Sequence, residues 1–95
     1  MKFLVVCGQG LGSSFMIEMN VQQVLKELEV QDGSIEVDHC DLGSAASDMA
    51  DVFISGRDLA DNVAPLGEQI ILNNILDKEE LKSKIEEYLK EKGSL

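Results

Sequence analysis

Residues 5–14 read VVCGQGLGSS. An apolar run ends in a cysteine, and three glycines and two serines follow it within seven residues. Upstream the run extends back to Lys2, and a continuous apolar stretch of this length fits a strand buried on both faces. Downstream, Ile17, Val21, Val24, Leu25 and Leu28 fall on one face at helical spacing. Strand, glycine-rich turn and helix in this order make the first half of a βαβ unit.

The rest of the chain repeats the pattern. Strands are expected at 2–7, 34–39, 51–55 and 68–72. In the second, Ile35 and Val37 alternate with Glu36 and Asp38. Helices are expected at 14–29, 43–50, 57–63 and 77–92. The last is the clearest, with Leu81, Ile85, Tyr88 and Leu89 as its apolar stripe. Asp77 is positioned to cap it, Glu80 occupies the capping-box position, and Gly93 stops it. Gly33, Gly43 and Gly67 mark turns. Four alternations of strand and helix imply one α/β domain over residues 1–95, a parallel sheet with helices on both faces. Ligands of such sheets bind beyond the carboxyl ends of the strands. Cys7 lies at one of those ends.

Composition narrows the function classes. Hydrophobic residues make up 44% of the 95, as in a globular domain. The net charge is −10, with eighteen acidic residues against eight basic ones. Binding to nucleic acid, or to an anionic membrane surface, requires Lys and Arg to neutralise phosphates, so both partner classes are disfavoured. The many charges of the C-terminal segment read as a solvated helix face. No apolar stretch approaches the roughly 20 residues of a membrane span. The apolar run at 3–6 is also shorter than the about 7–15 residues of a signal-peptide core. A cytoplasmic protein is the expectation. The two cysteines, Cys7 and Cys40, are expected as thiols. A metal site built from Cys7, His39 and Cys40 is disfavoured by the spacing and by the absence of a Cys-x-x-Cys pair. No metal or cofactor is expected.

The loop suits phosphate. Glycines bring backbone amides close to a ligand, and amides converging on one concavity hold an anion. The loop opens a helix, whose N-terminus favours negative charge, and Ser13 and Ser14 add hydroxyl donors or a cap. The same features lower the pKa of a thiol, since a thiolate is itself an anion. A P-loop would need a lysine, and residues 8–14 hold none. A dinucleotide fingerprint would need glycine where Ser13 stands. A cysteine phosphatase would place arginine at that same position, to bind two phosphoryl oxygens and stabilise charge during hydrolysis. Nor does an Asp beside the single proline, Pro65, offer a general acid, because Ala64 precedes it. The loop is thus equipped to accept a phosphoryl group and poorly equipped to hydrolyse it. A cysteine that ends a buried strand is also a common small core residue, and on these grounds alone both readings of Cys7 stay open.

The stretch VVCGQGLGSS resembles the active-site loop of the IIB components of the bacterial sugar phosphotransferase system. The pattern Cys-Gly-x-Gly-x-Gly-Ser-Ser is most like the ascorbate type, with galactitol- and mannitol-type loops related. The likeness extends through SSFMIEMNV in the first helix, HCDLG after the second strand, ADVFIS in the third and NNIL before the final helix. It implies a three-layer α/β/α, Rossmann-like fold whose four-stranded parallel sheet has the order 2-1-3-4. It implies an enzyme, a protein-phosphocysteine–sugar phosphotransferase, with two partners. The phosphohistidine of IIA donates to Cys7, and the phosphocysteine passes the group to a sugar held by the membrane component IIC. L-ascorbate is the sugar of the type it most resembles, with galactitol or another carbohydrate as the alternative. The cradle carried over by motif is Gly8, Gln9, Gly10, Leu11, Gly12, Ser13 and Ser14. The protein would be cytoplasmic, joining the membrane only through IIC.

Other residues have two readings. Phe15, Met16 and Met19 are either core or a docking surface for IIA and IIC, since Met-rich surfaces suit several partners. Arg57, after the third strand, is either a solvated surface residue or a group that reaches the cradle or a partner. His39 and Cys40 are expected in structural or surface roles. Two competing functions remain: a low-molecular-weight cysteine phosphatase or thiol reductase, opposed by Ser13, and a regulatory IIB-like module.

Overall fold

The computed structural model describes residues 2–7, 11–28, 35–75 and 77–93. Four strands, β1 (Lys2–Cys7), β2 (Glu36–Asp41), β3 (Val52–Gly56) and β4 (Gln69–Leu72), form one sheet. Its order is β2-β1-β3-β4 and every pair is parallel, as expected. The helices are α1 (Leu11–Glu27), α2 (Ala60–Val63) and α3 (Lys78–Glu91).

Position in the sheet explains the strand sequences. Every residue of central β3 is buried, and so are Phe3, Leu4, Val5 and Val6 of β1. Strands covered on both faces need continuous apolar runs. The edge strands β2 and β4 are only partly covered, and there burial alternates, along all of β4 and along Glu36–His39 in β2. One face packs Phe3, Val5, Val52, Ile54, Ile70 and Leu72 against Ile17, Val21 and Val24 of α1 and Leu81, Ile85 and Leu89 of α3. Each fully buried aliphatic side chain contributes about 1.5–3 kcal/mol relative to exposure. The other face packs Leu4, Val6 and Phe53 against Val63, with Leu59, Leu66, Ala45, Met49, Ala50 and Cys40 around them. This second layer is thin and made mostly of turns.

Several expected boundaries change. The second strand runs from Glu36 to Asp41, later than 34–39, because all six of its residues pair with the six of β1. The third is shifted one residue onto Gly56, and the fourth starts at Gln69. The helix expected at 43–50 does not form. Leu42–Ser44 makes one 3-10 turn, and a Met49 N–H to Ala46 carbonyl bond of 3.1 Å closes a further turn. A segment this short, with Gly43, Ser44, Ser47 and Asp48, has little to offset the cost of helix nucleation. The helix expected at 57–63 is split into a 3-10 turn (Arg57–Leu59), the single α-turn of α2, and a second 3-10 turn (Ala64–Leu66) that carries Pro65.

The start of α3 corrects one motif. Asp77 accepts from the N–H groups of Glu79 and Glu80, both at 3.1 Å, so it is the N-cap. Glu80 does not complete a capping box. Its carboxylate reaches back to the N–H of Asn73 and of Asn74, both at 3.0 Å, and to the Asn73 side-chain amide at 2.8 Å. These two backbone donors, Asn74 foremost, hold its pKa down at about 2. Glu80 therefore ties α3 to the chain leaving β4.

Candidate functional site at the carboxyl edge of the sheet

The carboxyl ends of the strands bring together residues far apart in sequence. β1 ends at Cys7, whose Cα partner on β2 is Asp41. On its other side β3 ends at Gly56, and Arg57 follows at once. β4 ends at Leu72, followed by Asn73 and Asn74.

Three residues of chain separate Cys7 from the first residue of α1, Leu11. These are Gly8, Gln9 and Gly10, which lie outside the described residues. Leu11, Gly12, Ser13 and Ser14 are the first four residues of the helix, three residues earlier than the sequence pattern suggests. Neither serine is therefore its cap. A helix leaves the N–H groups of its cap and its first three residues without intrahelical acceptors, and here the helical ones belong to Leu11, Gly12 and Ser13. The first turn carries no acidic residue, so the positive end of the helix dipole is not neutralised by its own side chains. Cys7 and the N-terminus of α1 thus share one edge of the sheet.

Beyond that turn, α1 has two faces. Ile17, Val21 and Val24 are buried against the sheet. Phe15, Met16 and Met19 are 53%, 50% and 54% exposed. They are the large exposed apolar side chains among the described residues, and the core does not use them. Arg57 is exposed as well.

One pair escapes sequence reasoning. His39 Nδ1 lies 2.5 Å from a Glu18 carboxylate oxygen, and the Phe15 ring stands edge-on to the imidazole at 6.0 Å and 88°. Glu18 and His39 are 21 residues apart, and only the packing of α1 over β2 joins them. The one hint in the sequence is that Glu18 adjoins buried Ile17, at the margin of the helix stripe. With Asp38, these two residues place three potential metal-ligand atoms within 4.8 Å of one another. By contrast, His39 meets α1 on one face of the sheet while Cys40 packs into the cluster on the other, so the structure does not bring this pair together as ligands.

The chain matches known proteins along nearly its whole length. The family model described as "PTS system, Lactose/Cellobiose specific IIB subunit" matches residues 2–93. The chain is similar to the "Ascorbate-specific PTS system EIIB component" of Salmonella choleraesuis, with 29% identity over 95% of this chain and 90% of that one. Its counterpart in Escherichia coli O157:H7 gives the same figures, and that of Shigella flexneri gives 28% identity over 94% and 89%.

Proposed function

Because the chain belongs to the lactose/cellobiose-specific IIB family of the phosphotransferase system, we propose that Cys7 is its phosphoryl carrier, loaded by the phosphohistidine of a IIA protein and unloaded onto a sugar held by IIC. The observation that carries this reading is the placement of Cys7 at the end of β1, with the N-terminus of α1 opening just beyond it.

The chemistry follows from that placement. The thiol loses its proton to solvent, favoured by the helix end, and the thiolate attacks phosphorus. The S–P bond forms as the N–P bond to the donor imidazole breaks. Transfer of this kind depends on positioning and charge stabilisation. The amides of Leu11, Gly12 and Ser13, with those of Gly8, Gln9 and Gly10 before them, form the cradle, and Ser14 completes the loop. Ser13 stands where a cysteine phosphatase would carry arginine, which suits an intermediate that must outlast the wait for its acceptor.

Phe15, Met16 and Met19 form the apolar docking face for IIA and IIC, next to the cradle on the first turns of α1. Among the described residues no helix is long and apolar enough to cross a membrane, and membrane contact is made through IIC. The named relatives favour L-ascorbate as the sugar.

The test is loading from phosphoenolpyruvate through the general phosphotransferase proteins and IIA, read by intact mass. Wild type gains one phosphoryl group and holds it until sugar-loaded IIC is added, and Cys7→Ser gains none. Loading of Cys7→Ser, or steady release of inorganic phosphate without an acceptor, contradicts the proposal.

A further inference from the structure

The proposed chemistry puts a phosphoryl dianion at the carboxyl end of β1, in a chain of net charge −10. Asp41 pairs with Cys7 on one side, and Asp58 lies just past the end of β3 on the other. The helix end and the backbone amides carry only partial charges. The basic side chains of the protein divide into two groups. Lys78 and Lys82 pair with Glu27, Lys84 with Glu80, Lys90 with Glu86, and Lys92 with Glu68. Lys2, Lys26 and Arg57 have no carboxylate partner among the described residues. Lys2 opens β1 at the opposite edge of the sheet. Lys26 sits in the last turn of α1, about 22 Å from Leu11 at about 1.5 Å per residue. Only Arg57 stands at the carboxyl edge.

The strand register fixes its position. β1 and β3 are hydrogen-bonded neighbours with Val5 opposite Ile54. Two residues further along each strand come Cys7 and Gly56, and Arg57 is the next residue. Neighbouring strands lie about 4.8 Å apart, a gap that an extended arginine side chain spans. The turn that launches Arg57 is tightly packed. A Cβ on Gly56 would lie 2.8 Å from Asp58 Oδ1 and 3.1 Å from Ile75 Cγ2. The Ala60 N–H donates to the Arg57 carbonyl and closes the turn.

We infer that Arg57 is a catalytic residue of phosphoryl transfer, its guanidinium binding the oxygens of the transferring group from the β3 side. The inference rests on the reading of Cys7 as phosphoryl carrier. It supplies from a neighbouring strand the planar cation that the loop lacks at Ser13. In the first step the S–P bond forms as the N–P bond breaks, and the donor imidazole leaves with the electron pair. In the second, an O–P bond to the sugar forms as S–P breaks, the sulfur takes the electron pair, and the hydroxyl proton passes to solvent. Arg57 neither gives nor takes a proton. It stays cationic and holds charge on the phosphoryl oxygens in both steps. It does not activate water, so the phosphocysteine persists between steps.

The experiment measures the rate of loading of wild type, Arg57→Ala, Arg57→Lys and Cys7→Ser by phospho-IIA of the ascorbate, galactitol and lactose types, each charged from phosphoenolpyruvate. Arg57→Ala is expected to melt with wild type, since the side chain is exposed and unpaired among the described residues. It should lose about 10²–10³-fold in kcat, with KM for IIA changed less than about threefold. Added guanidinium should restore part of the rate in Arg57→Ala and none in wild type. Arg57→Lys should fall between the two, keeping the charge without the fork. An unchanged kcat overturns the inference. So does a loss confined to KM and erased by salt, which makes Arg57 a docking residue. If no IIA loads wild type, or if Cys7→Ser is loaded equally, the reading of Cys7 fails first and takes the inference with it.

Discussion

The two long helices of the protein lie on the same face of the sheet and treat solvent in opposite ways. α3 buries Leu81, Ile85 and Leu89 and gives its other sides to charge, with Lys78, Lys82, Lys84, Lys90 and Lys92 each close to a carboxylate. Its far end is fastened as well. Glu68 accepts from Lys92 Nζ and from the Tyr88 hydroxyl, both at 2.6 Å. These contacts, Lys92 first, lower the Glu68 pKa, while burial and then Glu68 raise that of Tyr88. α1 buries Ile17, Val21 and Val24 but leaves Phe15, Met16 and Met19 in water and holds no acid in its first turn. Charges that are already paired belong to a surface finished on its own. An exposed apolar cluster beside an uncompensated helix N-terminus is the surface that the proposed phosphoryl group and docking partners would complete.

That contrast can be broken by substitution, and the largest effect is expected in the core that both helices share. Ile85→Ala should cost about 2–5 kcal/mol in urea unfolding; a cost below about 1 kcal/mol would mean that α3 is not held by its buried stripe. Met16→Asp combined with Met19→Asp should leave stability within about 0.5 kcal/mol of wild type, as surface substitutions do. The same pair should raise KM for IIA roughly tenfold. A large loss of stability with no change in KM would return these residues to the core. On α3, Asp77→Ala should cost about 0.5–2 kcal/mol through the lost cap. Glu80→Gln tests the tie to Asn73 and Asn74. The folded carboxylate has a pKa of about 2 against an ordinary 4.5. Its stabilisation is therefore complete above about pH 4.5 and lost as pH falls towards about 2. The stability gap between wild type and Glu80→Gln should close over that window; a gap independent of pH would show that the bond does not depend on ionisation. The smallest effect belongs to the exposed pair Lys90–Glu86, where Lys90→Ala should change stability by about 0–0.5 kcal/mol.

What the sequence discloses follows from where each signal originates. The buried runs of β1 and β3 and the stripe of α3 are local patterns set by burial, and all of them were legible. The limits of β2 were not, because its register is imposed by pairing with β1. The segment 43–50 is rich in Ala and Ser, but it is too short to offset helix nucleation and instead covers Leu4, Val6 and Phe53 as turns. Glu80 keeps the spacing of a capping box, yet better donors await it at Asn73 and Asn74. At the candidate site, Cys7 and its glycine loop stand out because the unusual residues are contiguous. Phe15, Met16 and Met19 were ambiguous, since apolar residues on both faces of a helix do not say which face is buried. The Glu18–His39 pair depends on the packing of α1 over β2, which no single segment encodes, whereas the place of Arg57 next to β1 follows from the order 2-1-3-4 that the resemblance implies.

His39 also supplies the sharpest alternative, for it is the sole histidine in the chain and histidine is the other side chain on which this system carries phosphate. Fragmentation of the loaded protein by electron transfer, under conditions that keep both S–P and N–P bonds, assigns the phosphoryl group to one residue. The phosphoryl group is expected on Cys7, with His39→Asn loaded as fully as wild type. A phosphoryl group on His39, absent from His39→Asn and retained in Cys7→Ser, would contradict it.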